Sequence, residues 1–311
     1  MVLLPMSADI LPPYDDRVFK LILSAKESKP ILIDLLSAVL QRQVVDVVVR
    51  NSEIPPENAQ EKAERLDLNC EIDDGSQVDV EMHVHYIIEE PGGKHENLIG
   101  KTVYYACDLH SSQPSKGQDR YDKLARTYQI TFCCYTIFPR RKEFVSSFSL
   151  RHDGDNELLT DALHIVFVEL SKLREILKKP VSDMTDLEKW AVFFRYANNP
   201  KYRETVNEVI ASKEALQMAG ERLMSISQDE RERAVFRSRR MAETDRLSNL
   251  ATARDIGKRE GMQEGMQKGM QKGRQESLRE MARLMLANGE LEDKIMRYTG
   301  LSRDEIKNLK I

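Results

Sequence analysis

The chain has 311 residues, of which 32% are charged, and a formal net charge of −4. That length holds one large domain or two smaller ones, and an apolar content of 41% is enough for a packed core. The acidic balance excludes a polybasic nucleic-acid binder by composition, so any DNA contact must come from local patches. The N-terminal MVLLPMSADILPP has neither the basic flank nor the long apolar core of a signal peptide. No run reaches the roughly 18 apolar residues a membrane span requires, so no membrane partner is expected. Cys70, Cys107, Cys133 and Cys134 lack C-x-x-C spacing and read as buried free thiols of a reducing cytoplasm.

In chain order, Tyr14 to Ser24 predicts a helix with Val18, Phe19, Ile22 and Leu23 as its apolar stripe. A second helix starts near Pro30, with Ile31, Leu32, Leu35, Leu36, Val39 and Leu40 on one side. Val44 to Val49 reads as a buried strand, and NSEIPPENAQEKAE as a loop. Two strands follow, RLDLNCEI and QVDVEMHVHYII, joined by Asp73-Asp74-Gly75-Ser76. Next come a helix, LIGKTVYYACDLHSSQ, a polar loop, and an apolar strand from Gln129 to Phe138. This order indicates an α/β sandwich. From about Leu158 the pattern reads as mostly helical, with a capping box of Thr185 and Glu188 ahead of Trp190, Phe193 and Phe194. Residues 200–256 are charged and helical.

The hairpin carries the chemistry. An Asp73-Asp74-Gly75 loop with Gly as the bulge pairs Ile72 with Ser76. Counting back, Cys70 opposes Val78, Leu68 opposes Val80 and Leu66 opposes Met82, so the apolar side chains share a face. A slip of one residue would turn one strand's apolar set to water, at roughly 1.5–3 kcal/mol per side chain. The selected register sets Asp67 across from Glu81 and Arg65 across from His83, with facing Cβ atoms about 5 Å apart. Two carboxylates so placed either point to bulk water or share a cation, for which oxygen ligands suit Mg²⁺. Asn69 and Asp79 form the adjacent polar pair, so polar residues on this face need not all be ligands.

The ordered set DDRVFKLILS, RLDLNCEI, VDVEMHVH, TVYYACDLHSSQ with KGQDRYDKL, ITFCCYTIF and FSLRHDGDNELLTDALHIVFVELSKL resembles the PD-(D/E)XK nuclease superfamily. More closely it resembles the Rpn-like recombination-promoting nucleases, also described as PD-(D/E)XK family transposases, over about 14–300. The resemblance implies a PD-(D/E)XK restriction-endonuclease-like α/β core with a mostly helical C-terminal extension. It implies a Mg²⁺-dependent DNA endonuclease of the bacterial cytoplasm that promotes recombination or transposition. Asp67 and Glu81 would be the metal ligands, joined by the backbone carbonyl of Met82. His83 stands where the family has Lys or Gln, which is a departure. A neutral imidazole would accept a proton from the attacking water, an imidazolium would stabilise the transition state, and a third outcome is an impaired site. The last outcome corresponds to a DNA-binding or assembly protein that keeps the nuclease fold.

Accessory candidates are Asp16, one helical turn before Lys20, and His85, a phosphate contact or a plain surface imidazole. Tyr105 and Gln113, with Tyr104, match the family's helix beside the site, and core packing with a tethered hydroxyl is the preferred reading of both tyrosines. No third His or Cys has zinc spacing, and no Gly-rich phosphate loop is present. Expected domains are 14–155 for the nuclease-like core, 156–256 for helices packing on it, and 257–311 for the tail.

In the tail, Gly257, Gly261, Gly265, Gly269 and Gly273 recur every fourth residue. Each costs about 1 kcal/mol against Ala in a helix. The ladder is either a homo-oligomer contact through close helix approach or a helical linker grown by repeat expansion. A helix then ends at Asn288-Gly289, and two short helices follow, the first closed by Gly300 and the second capped by Ser302 and Glu305. They resemble a helix-turn-helix. Arg303, Lys307 and Lys310 alternate with Asp304 and Glu305, which leaves a DNA reader and a dimerisation tail both open.

Overall fold

The structure, a computed structural model, describes residues 3–6, 9–51, 68–84, 96–113 and 121–309. The first helix, α1 (Asp16–Leu23), is capped by Asp15, whose carboxylate accepts the backbone N–H groups of Arg17 and Val18. Its stripe of Val18, Phe19, Ile22 and Leu23 is buried. Helix α2 (Lys29–Leu40) has Pro30 in its first turn, where a missing N–H costs nothing, and stops at Gln41, which adopts φ 52°. Strand β1 (Val47–Asn51) begins three residues later than the apolar run suggests.

The hairpin of β2 (Leu68–Ile72) and β3 (Gln77–His83) has the expected register, with Leu68 opposite Val80, Cys70 opposite Val78 and Asn69 opposite Asp79. Ile72 donates to Ser76 O at 3.0 Å, and Gly75 takes the positive φ, 82°, that the bulge requires. Helix α3 (Glu96–Ser111) leads to β4 (Thr127–Cys133), which ends five residues earlier than expected.

Two further strands follow, β5 (Val145–Arg151) and β6 (Leu158–Glu169), and β6 corrects the reading of the chain from about Leu158 as mostly helical. The run His164-Ile165-Val166-Phe167-Val168 is apolar without alternation, so its period does not separate helix from strand. Its alternate residues pack in different clusters, Val166 and Val168 in the main core and Ile165 and Phe167 in a second one, so both faces are covered, which explains the run. The six strands lie in the order β1-β2-β3-β4-β6-β5, with β3, β4 and β6 parallel at the centre and the other pairings antiparallel.

Helices α4 (Asp186–Tyr196), α5 (Arg203–Ala211) and α6 (Glu214–Gln228) complete the main core. Thr185 and Glu188 form the expected capping box on α4. Trp190, Phe193 and Phe194 are fully buried. Phe194 packs on Phe19 with ring centroids 5.0 Å apart, on Phe132 of β4 at 5.6 Å and on Trp190 at 5.5 Å. The Trp190 indole donates to Asp34 Oδ1 at 2.8 Å, which satisfies its buried N–H.

Contacts divide the chain into two units, Met1–Arg239 and Arg240–Ile311. Helix α7 (Glu230–Ala287) contributes to both. In the second unit, α7, α8 (Glu292–Thr299) and α9 (Arg303–Lys307) enclose Ala282, Ile295 and Ile306. Gly300 at φ 70° closes α8, and Ser302 with Glu305 caps α9 as the sequence indicates. The five ladder glycines lie inside α7, and a Cβ at any of them would meet nothing within 4 Å. Of the thiols, Cys70 and Cys133 are buried, Cys134 is partly buried and Cys107 is exposed. Burial of Cys107 was the expectation, but Ala106 and not its neighbour is turned inward.

Replacing Phe194 by Ala removes the ring that joins α1, β4 and α4. It should lower the unfolding free energy by about 3–5 kcal/mol in urea titration, the usual cost of emptying a buried aromatic site.

Candidate active site

Alternation along β3 turns Gln77, Asp79, Glu81 and His83 to one face. The parallel register with β4 sets Thr127, Gln129, Thr131 and Cys133 beside them, residue for residue. Helix α3 lies over this face through Leu98, Thr102 and Ala106, all buried. The face is therefore not solvated: Asp79 and Glu81 are each only 3% exposed. Alternation suggested half-burial, and it is the α3 crossover from β3 to β4 that closes the second side.

Glu81 is held between two bases. Its Oε2 lies 2.8 Å from His83 Nε2, and its Oε1 lies 3.4 Å from Lys101 Nζ on α3. Lys101 also sits 5.1 Å above the ring of Tyr105, one turn along the same helix. Asp79 accepts a hydrogen bond from Gln129 Nε2 at 2.6 Å through Oδ2, while its buried Oδ1 has no hydrogen-bond partner among the described residues. Burial, and then the charge of Glu81, push the Asp79 carboxyl up to about 7, against the pull of Gln129, Lys101 and Lys20.

Asp16, at the start of α1, joins this neighbourhood. Burial pushes its carboxyl up to about 7, with Asp15 and Glu81 adding to the effect and Arg239 and Lys101 opposing it. Arg239 of α7 lies 3.7 Å from Asp15 and 4.0 Å from Asp16. Among the described residues, Asp16 Oδ1 is buried without a hydrogen-bond partner. Three carboxylates thus share the field of Lys101, and two of them carry an oxygen with no hydrogen-bond partner among the described residues. Oxygen donors are the kind that a hard divalent cation takes. Among the described residues, no group of three His, Cys, Asp or Glu side chains is close enough together to hold a metal by themselves.

The other sequence candidates divide. Asp67 and His85, like Arg65 and Leu66, lie outside the described residues, and the last described pair of the hairpin ladder is Leu68 with Val80. Met82 turns its side chain into the core on the opposite face, leaving only its backbone beside the site. Tyr105 is partly buried and holds Lys101, whereas Tyr104 is 63% exposed and leans edge-on against Tyr105, so it is not a core residue. Gln113 ties the end of α3 to the entry of β4, accepting from Ala125 N at 2.7 Å and donating to Ala125 O at 2.8 Å. It also bonds Thr127, whose β3 partner is Gln77. Gln77 is four residues from Glu81, about 13 Å at the strand rise, so Gln113 is an anchor and not part of the Glu81 cluster.

Sequence reasoning missed Lys101, Gln129 and Arg239. The Lys101–Tyr105 spacing of four was a readable signal on α3. Gln129 and Arg239 reach the site only through strand order and helix packing, which leave no local mark.

The sheet, its covering helix and the buried acidic strand define a nuclease-type α/β domain. Residues 13–253 match the model of the PD-(D/E)XK nuclease family transposases, and the chain belongs to that family. Residues 275–311 match the C-terminal helix-turn-helix domain of the Rpn/YhgA-like nuclease family. Among curated proteins and solved structures, nothing matches the chain.

The buried Asp79 gives a pH signature in the metal-free protein. Its folded pKa is raised above the usual carboxylate value, so the folded state keeps a proton that the unfolded state releases, and stability falls as pH rises from about 4 to 7. Asp79→Asn keeps an acceptor for Gln129 and has no proton to lose. In urea unfolding with EDTA, the variant should gain on wild type across that window, by at most roughly 1.4 kcal/mol per pH unit, and level off above it. A difference that does not change with pH would refute the assignment.

Proposed function

We propose that this chain is a divalent-metal-dependent DNA endonuclease, with Mg²⁺ as the ion, acting in DNA breakage that promotes recombination or transposition. The observation that carries the reading is Glu81, a carboxylate buried on a central strand of a PD-(D/E)XK family fold and flanked by two bases. Asp67 is the residue next after the Leu68–Val80 pair, and continuation of that register would set it across from Glu81. Asp67, Glu81 and the Met82 carbonyl are the proposed ligands, with Asp16 as a fourth oxygen donor. A divalent ion bound there would lower the pKa of a water and offset charge on the phosphate.

The reaction is hydrolysis of a phosphodiester. The water oxygen bonds to phosphorus and the bond from phosphorus to a sugar oxygen breaks. One water proton leaves by way of His83, the other stays on the new phosphate monoester, and the departing oxygen is protonated from solvent. His83 is suited to the first transfer because Nε2–H, donated to Glu81, orients the ring and leaves Nδ1 as the basic nitrogen. Burial beneath α3 keeps the carboxylates in a low-dielectric setting where each charge acts strongly. DNA is the proposed partner of the helix-turn-helix tail, and the Gly ladder of α7 is a proposed self-association surface. No described helix is long and apolar enough to cross a membrane, and the cytoplasm is the proposed site of action.

A second reading, a catalytically impaired protein that binds or assembles on DNA, is favoured by one observation. Both oxygens of Glu81 are engaged, by His83 and by Lys101.

Purified protein should nick supercoiled plasmid with Mg²⁺ and not with EDTA. Asp67→Ala and Glu81→Ala should each lower the rate by about 10²-fold or more, the scale of losing a principal electrostatic element. Equal residual cleavage by wild type and both variants would remove the enzyme reading. Replacement of His83 by Lys or Gln then distinguishes a tuned site, which slows, from an impaired one, which speeds up.

A further inference from the structure

Two residues after Glu81, on the same strand, stands His83, whose imidazole is not a permanent cation. Negative charge nevertheless grows on the phosphate oxygens and the leaving oxygen during cleavage. Some other group must meet it.

Three further cations act on this cluster. Lys20 is 1% exposed, closed off from any substrate. Arg239 is drawn toward Asp15 and Asp16 and keeps 23% of its side-chain surface. Lys101 differs from both. Its ammonium touches the proposed ligand Glu81 on the oxygen opposite His83, and 39% of its side chain is open to solvent. It stands on a regular helix, and the Tyr105 ring one turn away supports its stem. The contact with Glu81 is long for an ion pair, 3.4 Å, so the head is held without being locked.

We propose, resting on the nuclease reading above, that Lys101 is the catalytic cation of this site: its ammonium leaves Glu81 for the scissile phosphate when substrate binds, and supplies from α3 the charge that the strand position of His83 lacks. No bond to Lys101 forms or breaks. It donates hydrogen bonds to a non-bridging oxygen as charge builds there, and returns to Glu81 after the product leaves. In the absence of DNA the same ammonium occupies one oxygen of a proposed metal ligand and opposes a divalent cation at that carboxylate. Lys101 therefore has two effects of opposite sign, favouring cleavage and weakening metal binding. A residue that merely supported the fold would have neither combination.

Lys101→Met keeps the stem length and helix propensity and removes only the charge, while Lys101→Arg keeps the charge. The full-length proteins should be compared by Mg²⁺-dependent plasmid nicking and by calorimetric titration with Mn²⁺ in the absence of DNA. Lys101→Met should lower kcat by about 100-fold with KM changed less than threefold, on the scale of one transition-state charge contact. It should also bind Mn²⁺ severalfold more tightly than wild type. Lys101→Arg should retain kcat within about tenfold and bind Mn²⁺ as wild type does. A Lys101→Met protein that cleaves as wild type overturns the proposal, and so does one that loses Mn²⁺ binding together with cleavage, which marks a structural role. Wild-type protein that fails to cleave plasmid with either Mg²⁺ or Mn²⁺ overturns the nuclease reading itself and the role of Lys101 with it. Wild-type cleavage beside an unimpaired Lys101→Met overturns Lys101 alone.

Discussion

Burial of a charged strand at the centre of the sheet is the constraint on which the rest depends. Strand β3 is paired on both edges, by β2 and β4, and covered on its acidic face by α3. Asp79 and Glu81 therefore lie where water cannot solvate them. Isolated carboxylates in such a place would be strongly disfavoured. The structure answers with Lys101, His83 and Gln129, each contributed by a different position: a helix turn, the same strand two residues on, and the neighbouring strand. Among the described residues compensation is incomplete, because Asp79 and Asp16 both retain a buried oxygen without a hydrogen-bond partner there. That residual deficit is the observation behind the proposed cation site.

The opposite face of the same sheet is chemically plain. Val78, Val80, Met82, Ile130 and Phe132 face α1, α2 and α4 in one continuous apolar core. The aromatic group around Phe194 fixes α1 against β4, and with it the position of Asp16 near Glu81. Packing on one side thus positions an acidic residue for the other. The paired Arg17 and Glu232, 2.7 Å apart, anchor the start of α7 to α1 in the same way, which places Arg239 two turns later beside Asp15.

The second unit has a different character. Its small core of Ala282, Ile295 and Ile306 holds α8 and α9 on the end of α7. Several of its cations are already matched: Arg303 with Asp293 at 2.6 Å and Lys294 with Glu290 at 2.8 Å. The match of residues 275–311 to the helix-turn-helix model speaks for that motif, while the paired charges indicate that any phosphate contact there would have to displace internal partners.

Local chemistry was readable from the sequence wherever a short segment specifies its own geometry. The Asp73-Asp74-Gly75 bulge fixed the hairpin register, Thr185 with Glu188 and Ser302 with Glu305 marked two helix starts, and Gly289 and Gly300 marked two helix ends. The ordered motifs also carried the family. Segments buried on both sides were less legible: β6 lost its alternation for that reason, and the polar face of β3 looked solvated because nothing in VDVEMH records the helix above it. The sequence by itself determined which side of each strand a residue occupies, since that follows from a period of two and a turn type. Only the tertiary structure decided that Lys101 meets Glu81, that Gln129 meets Asp79 and that Arg239 approaches Asp16, because those partners are 20, 50 and 223 residues apart and are brought together by strand order and helix packing.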